Sequence, residues 1–319
     1  MILRTNVKLN FGLNVIRKRP DGFHDIETLF VPCHEFSDTL EVITGDDYSR
    51  TSAALFAKTE GRREQLSLST IYPARARSAG RQGQLLPSLA QGISEDGKLM
   101  ITIAREEGVD WDPLSDLCAK AYRLLAEDFD LPPVKIFLEK TAPVGAGLGG
   151  GSADAAFTLK ALNELFTLGL SDERLCDYAS RLGSDCALFI WNRPVFGTGR
   201  GEILEPFDID LSGYEIKVLV PEGISVSTKE AYSGIVPRES GPSTPLPSTP
   251  LRDREEKSLK ELLKLPVEEW KDLVVNDFEE TVFKKHPELA AIKQSLYDSG
   301  AVYASMSGSG SAIFALYKK

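Results

Sequence analysis

The residues with the clearest chemical potential run from Pro143 to Ser152, reading Pro-Val-Gly-Ala-Gly-Leu-Gly-Gly-Gly-Ser. Five glycines fall within the seven residues 145–151. Glycine lets a backbone approach a ligand closely, and successive N–H groups at the start of a helix bind phosphate. A strand-to-helix turn alone needs fewer glycines, so phosphate binding is the expectation. Gly145, Gly147 and Gly150 also match the G-x-G-x-x-G spacing of a dinucleotide loop. That motif calls for an acidic residue about 20 positions later, at the end of a second strand. Residues 163–182 read instead as helical, which counts against an NAD-dependent oxidoreductase. A Walker A loop needs Lys and Ser or Thr directly after its last glycine, and here Gly151 is followed by Ser152-Ala153. The HRD and DFG elements of protein kinases do not occur in the sequence.

The elements that must position this loop are legible around it. Val134, Ile136 and Leu138 alternate along an expected strand, Val134 to Lys140. After the loop, Ala155, Ala156, Leu159, Leu162 and Phe166 share one helical face, with Ser152 at the expected N-cap. A further helix is expected from Ser171, with Asp172 and Glu173 in its first turn, to Gly183. Ser184-Asp185 then opens an apolar run, Cys186 to Trp191. Upstream, Phe11 to Arg17 and Ile26 to Val31 flank Arg19-Pro20-Asp21-Gly22, a hairpin candidate, and Thr39 to Thr44 reads as a third strand. Asp112-Pro113 reads as a helix start, followed by Leu114, Leu117, Cys118, Ala121, Leu124 and Leu125 at one-face spacing. Downstream come a strand at Ile216 to Val220, two helices, the second between Pro287 and Gly300, and a closing strand, Ile313 to Tyr317.

Two segments stand apart. Residues 48–92 carry seven Lys/Arg against two Glu and show no sustained period, so they read as an inserted loop. Residues 237–250 hold five prolines among Ser and Thr and read as a linker or surface loop.

The chain has 319 residues, 42% hydrophobic and 26% charged, with a net charge of −10. This composition suits a soluble globular protein of about two domains. The acidic balance argues against nucleic acid as a partner, since phosphate neutralisation drives that affinity. The sequence has no apolar run near the roughly 18 residues of a membrane span, and its first residues lack a signal-peptide stretch. A cytoplasmic location with no membrane partner is therefore expected. Cys33, Cys118, Cys176 and Cys186 form no CxxC pair, so reduced, buried thiols are expected rather than a metal or redox motif. No metal-ligand cluster is visible.

The stretch from Pro143 to Ala156 resembles the phosphate loop of the GHMP small-molecule kinases, the family of galactokinase, homoserine kinase and mevalonate kinase. Other segments are similar to the branch that uses ATP to phosphorylate the 2-hydroxyl of a cytidine-diphosphate-linked methylerythritol, in the non-mevalonate isoprenoid pathway. They are Lys8-Leu9-Asn10, Arg19 to His24, Glu27-Thr28-Leu29-Phe30, Leu182 to Asp185, Gly199 to Leu204, Asn276 to Glu279 and Ser307 to Gly310. The resemblance implies an α+β, two-domain GHMP kinase fold, N-terminally like ribosomal protein S5 domain 2 and C-terminally ferredoxin-like. The domains are expected at 1–210, with the 48–92 insertion, and 211–319, with the proline-rich loop. Homoserine and mevalonate kinases are the nearest alternatives, but their substrates have no nucleobase to match Phe23-His24.

The resemblance also implies roles. Asp185 matches the catalytic base; read alone it is a helix N-cap. Lys8 matches the lysine that pairs with that base and stabilises charge on the incoming oxygen; alone it reads as a solvated strand-edge charge. Asn10 would orient substrate hydroxyls. His24 would hydrogen-bond the cytosine edge, with Phe23 and Tyr232 stacking on the ring and Thr228 beside Tyr232. Lys140, Pro143, Gly145, Ala146, Gly147, Leu148, Gly149, Gly150, Gly151 and Ser152 would contact ATP. Mg²⁺ is implied, held mostly by phosphates and water. Phe23 stands where the family has Tyr, Asn6-Val7 where it has Pro-Ala, and Ala153 where it has a second Ser. The 48–92 insertion is outside the family pattern.

Overall fold

The structure, a computed structural model, describes residues 1–45, 88–238 and 257–319. The chain divides into two compact units, and both take in segments distant in sequence.

The first unit comprises Met1–Asn6, Phe36–Ala142 and Gly150–Ile190. Its five-stranded sheet runs β1 (Ile2–Arg4), β4 (Thr39–Thr44), β7 (Val134–Lys140), β6 (Leu99–Arg105), β5 (Ser88–Ile93). All neighbours are antiparallel except β6 and β7, which are parallel. A parallel pair needs a crossover, and helix α1 (Leu117–Ala126) lies within it. In β7 the side chains alternate buried and half-buried through Lys140, as the sequence pattern requires. Helices α2 (Gly150–Leu165) and α3 (Asp172–Leu182) pack with α1. They bury Cys118, Ala121, Leu125, Ala155, Ala156, Leu159 and Leu162, much of the apolar stripe read from spacing. The short α4 (Cys186–Trp191) follows.

Three expectations change here. Residues 88–92 of the expected insertion are an edge strand, paired from Ser88–Arg105 to Ile93–Met100. Asp112 caps only a short 3₁₀ turn, Pro113–Ser115, and α1 starts afresh under Asp116, whose carboxylate accepts from Cys118 N–H. Helix α2 begins at Gly150, so Ser152 lies inside its first turn rather than at the cap. The rest of 48–92, and the proline-rich stretch from 239 onward, lie outside the described residues.

The second unit comprises Val7–Glu35, Pro143–Gly149 and Trp191–Lys319. Thus 211–319 is joined in one unit by the first hairpin and by the glycine-rich segment up to Gly149. One antiparallel sheet runs β2 (Val7–Lys18), β3 (His24–Cys33), β8 (Val195–Thr198), β9 (Ile203–Pro206). The other runs β10 (Tyr214–Leu219), β12 (Ile313–Lys318), β11 (Tyr303–Met306). Helices α5 (Thr228–Tyr232), α6 (Leu259–Leu262), α7 (Phe278–Lys285) and α8 (Pro287–Asp298) belong to it. The hairpin strands extend further than expected, so Lys8 and His24 are both strand residues.

Strand β2 explains how a polar pair comes to be buried. Val7, Leu9 and Phe11 alternate with Lys8 and Asn10, and all five are buried. Phe11 packs on Trp270, Tyr303 and Phe314, with ring centroids 5.9, 6.0 and 4.7 Å away. The register then shifts between Phe11 and Leu13, around Gly12 at φ 67°. A bulge re-aims the side chains that follow, and Leu13 and Val15 join a separate core with Val226, Phe278 and Met306.

Candidate active site

Lys8 is a buried lysine in a strand, not the solvated edge charge that the sequence alone suggests; the residue is 4% exposed. Its Nζ donates to Asn10 Oδ1 at 2.5 Å and to the Gly147 carbonyl at 2.9 Å. It also lies 5.5 Å from the Phe30 ring centroid. Asn10 Nδ2 donates to Thr28 Oγ1 at 3.0 Å, and Thr28 donates in turn to the Gly12 carbonyl at 2.6 Å. Two β2 side chains on one face are thereby held in a fixed orientation.

The segment 143–149 wraps this pair. Lys8 N–H donates to the Leu148 carbonyl, and Ala312 N–H to the Ala146 carbonyl. Ala146 and Leu148 are buried while Gly145, Gly147 and Gly149 take φ of 75°, 78° and 73°. Gly147 has a second reason to be glycine. A Cβ there would lie 2.3 Å from the Ser307 carbonyl oxygen and 3.1 Å from the backbone of Gly310. Ser307 Oγ reaches the Gly147 carbonyl and Asn10 Oδ1, at 3.3 and 3.4 Å. Asn276 Nδ2 braces the same turn, donating to the carbonyls of Met306 and Gly308 at 2.8 Å each. Residue types and spacing do not single out Ser307 or Asn276. Their only sequence signal is membership of the segments Ser307–Gly310 and Asn276–Glu279.

After Gly149 the chain enters α2 in the first unit. Gly150, Gly151 and Ser152 form its first turn, where N–H groups have no partner inside the helix. Ser152 hydrogen-bonds the thiol of Cys186, which burial pushes up to about 11. Asp185 also belongs to the first unit, half-buried directly before α4, with the Ser184 hydroxyl 3.3 Å from its Oδ1. Lys140, expected at the nucleotide, is buried. Its ammonium is enclosed by Asp38 and Asp154, at 2.5 and 2.6 Å. It follows Leu138 in the β7 alternation and so falls on the core face.

A third group lies in the second unit. His24 stacks on Tyr232, ring centroids 4.5 Å apart and planes at 18°. Tyr232 meets Phe278 edge to face at 4.7 Å. Burial, and after it the charge of Lys18, holds the His24 imidazole below its ordinary 6.5, so neutral imidazole persists to lower pH. The two rings are too close for a base between them, which needs about 7 Å. His24 therefore packs directly on Tyr232. Phe23 is 55% exposed and is covered on one side by Arg200, 5.1 Å from its ring. Thr228 lies one turn before Tyr232 on α5, exposed to solvent. Pro143 precedes the glycines and is half-buried.

Among the described residues there is no group of three or more His, Cys, Asp or Glu able to hold a metal ion. Nor does any described helix have the length and apolarity to cross a membrane.

Residues 116–193 match the family model for the GHMP kinases N terminal domain, and 255–319 that for GHMP kinases C terminal. The chain is 40% identical over 317 residues to a 4-diphosphocytidyl-2-C-methyl-D-erythritol kinase of Bacteroides fragilis, covering 99% of this chain and 92% of the relative. It is 37% identical to the protein of that name from Cytophaga hutchinsonii, at 99% and 92% coverage. Among solved structures, a 4-(cytidine 5'-diphospho)-2C-methyl-D-erythritol kinase superposes with a TM-score of 0.66 at 27% identity, over 99% of this chain and 90% of the other. Mevalonate kinase of Methanococcus jannaschii superposes at 0.55 with 11% identity, covering 100% of this chain and 90% of the other, a likeness of fold alone.

Proposed function

The chain belongs to the GHMP kinases, in the group of 4-diphosphocytidyl-2-C-methyl-D-erythritol kinases, and from that premise we propose how its residues divide the reaction. It is an ATP-dependent small-molecule kinase that phosphorylates the 2-hydroxyl of 4-diphosphocytidyl-2-C-methyl-D-erythritol in the non-mevalonate isoprenoid pathway. The observation that carries this is identity of about 40% sustained along the whole chain.

Phosphoryl transfer asks for positioned reactants, neutralised phosphate charge and a base on the attacking hydroxyl. Asp185 is the proposed base. Its supports are its position ahead of α4 and a half-buried carboxylate near a hydroxyl, Ser184. Lys8 is the proposed cation stabilising the incoming oxygen. A buried ammonium held by two oxygens is already desolvated and oriented, which raises its effect on developing negative charge. Asn10, fixed by Thr28, is the proposed hydroxyl contact.

The proposed phosphate cradle is Gly145–Gly151, with Ser152 in the helix turn. Gly147 is held to glycine by the Ser307 carbonyl, 2.3 Å from where its Cβ would stand, which fixes the turn that leads into Gly149 and Gly150. When bound, Mg²⁺ would neutralise the triphosphate charge. The donor set fits an ion held mainly by phosphate and water oxygens, with Ser152 as the one hydroxyl in the loop. His24, Phe23, Tyr232 and Thr228 are the proposed cytidine contacts. Neutral imidazole can accept from an amino edge, and the aromatic rings supply stacking surface worth about 1–3 kcal/mol per base. A cytoplasmic location is consistent with the absence of a membrane-crossing helix among the described residues.

The test is ADP release with 4-diphosphocytidyl-2-C-methyl-D-erythritol, mevalonate and homoserine offered separately. Turnover is expected with the first; its absence there defeats the reading.

A further inference from the structure

The charge cluster around Lys140 has no part in the roles above. Lys140, Asp38 and Asp154 have side chains 5%, 0% and 1% exposed. Lys140 Nζ donates to Asp38 Oδ2 and Asp154 Oδ2. The two remaining carboxylate oxygens are also engaged. Asp38 Oδ1 accepts the N–H groups of Thr141 and Ala142, at 2.6 and 2.7 Å. Asp154 Oδ1 accepts Thr5 Oγ1 at 2.8 Å, while Thr5 N–H donates to the Asp38 carbonyl at 3.0 Å. The cluster also touches the first residue of α2: a Cβ on Gly150 would lie 3.7 Å from both Asp38 Oδ2 and Lys140 Nζ.

These groups lie on both sides of one segment. Thr141 and Ala142 are the last residues before Pro143–Gly149, and Gly150 and Asp154 are in the first turns after it. A buried ion cluster is a poor source of stability, because desolvation offsets its Coulomb attraction. Geometric definition is what such a cluster supplies best. One ammonium here faces two carboxylates, and burial pushes the Asp154 carboxyl up to about 7.

We propose that Lys140, Asp38 and Asp154 are positioning residues for ATP: they clamp the chain where it enters and leaves the glycine-rich segment, fixing the N–H groups of Gly150–Ser152. The proposal rests on the phosphate-binding reading of that segment. A shift of about 1 Å in a group that holds a reactant can slow a reaction about a hundredfold, even when the altered residue lies far from the chemistry.

The test uses the full chain in steady-state ADP release, with KM for ATP and for the cytidine substrate measured separately, alongside equilibrium binding of a fluorescent ATP analogue. Lys140→Met should raise KM and Kd for nucleotide about tenfold or more, with KM for the cytidine substrate within about twofold. Asp154→Ala should behave likewise, and Asp154→Asn, which keeps the shape of a protonated carboxyl, should restore most of the affinity. Thr5→Val, a milder change to the same cluster, should give a smaller rise of the same kind and serves if Lys140→Met does not fold. Folded variants whose nucleotide KM and Kd match the parent chain overturn the proposal, as does an equal loss for both substrates. If the parent chain binds the analogue but turns over no cytidine substrate, the functional reading fails while the binding comparison still decides this one.

Discussion

Gly147 joins two constraints in one residue: a φ of 78° and a backbone oxygen 2.3 Å from where a Cβ would stand. Gly145 has a similar φ, 75°, and nothing within 4 Å. Gly145→Ala should therefore cost about 1 kcal/mol, from left-handed backbone strain alone. Gly147→Ala adds steric displacement of about 1–3 kcal/mol, and should weaken nucleotide binding as well. Denaturant unfolding of the two variants checks the difference, and equal costs would contradict the packing account. Asp185→Asn keeps volume but removes the base; kcat should fall by about 10² or more while nucleotide binding survives. Loss of binding in that variant would make Asp185 structural. Much of this is readable from residue types, because glycine density and motif order are local. The burial of Lys8 is not. Its ammonium is held by the carbonyl of Gly147, 139 positions away. For Lys140 a clue is present, since it continues the alternation of Val134, Ile136 and Leu138. Its partner Asp38 lies 102 residues off and gives no local signal.

At the scale of elements, capping chemistry is both the most informative signal and the most misleading one. Ser171 is an N-cap as its sequence suggests, its Oγ accepting from Arg174 N–H, with Asp172 and Glu173 in the first turn. Ser171→Ala should lower stability by about 1 kcal/mol without changing KM for either substrate, measured by chemical unfolding and kinetics together. Near α1 two aspartates four apart both have capping geometry, so the sequence does not say which one starts the helix. At α2 three glycines precede Ser152, and the helix begins at the second of them, two residues ahead of the expected cap. The hairpin strands run past the limits of their apolar pattern to Lys8 and His24, whose polarity hides a strand that in β2 is buried on both faces.

For the whole molecule, the segment between β4 and β5 is the one the sequence sets apart as an insertion. The two strands are parallel to one another, at the second and fifth places in the sheet. A replacement must cross about 14 Å sideways and about 20 Å along the strands. A flexible Gly/Ser linker of about 20 residues spans that distance. Replacing 46–87 with such a linker should leave a folded chain with measurable kinase activity, since loop length is thermodynamically tolerated. A folded but inactive deletion would show that the segment takes part in the reaction. The cut must stop before Ser88, because Ser88–Ile93 is a sheet strand. Stability should also carry a signature of Asp154. Its carboxyl is raised from 3.8 to about 7 by burial, so the folded chain holds that proton more tightly than the unfolded one. The resulting contribution is fully present below pH 3.8 and is lost as pH rises through about 7. In Asp154→Asn the slope of unfolding free energy between about pH 4 and 7 should flatten; an unchanged slope would assign it to other groups.

Every role assigned above turns on the identity of the acceptor. The direct measurement is a coupled ADP-release assay with 4-diphosphocytidyl-2-C-methyl-D-erythritol, mevalonate and homoserine as separate acceptors. Saturable turnover with the cytidine substrate, and none above blank with the other two, is the predicted result. Turnover with mevalonate or homoserine, and none with the cytidine substrate, would contradict it.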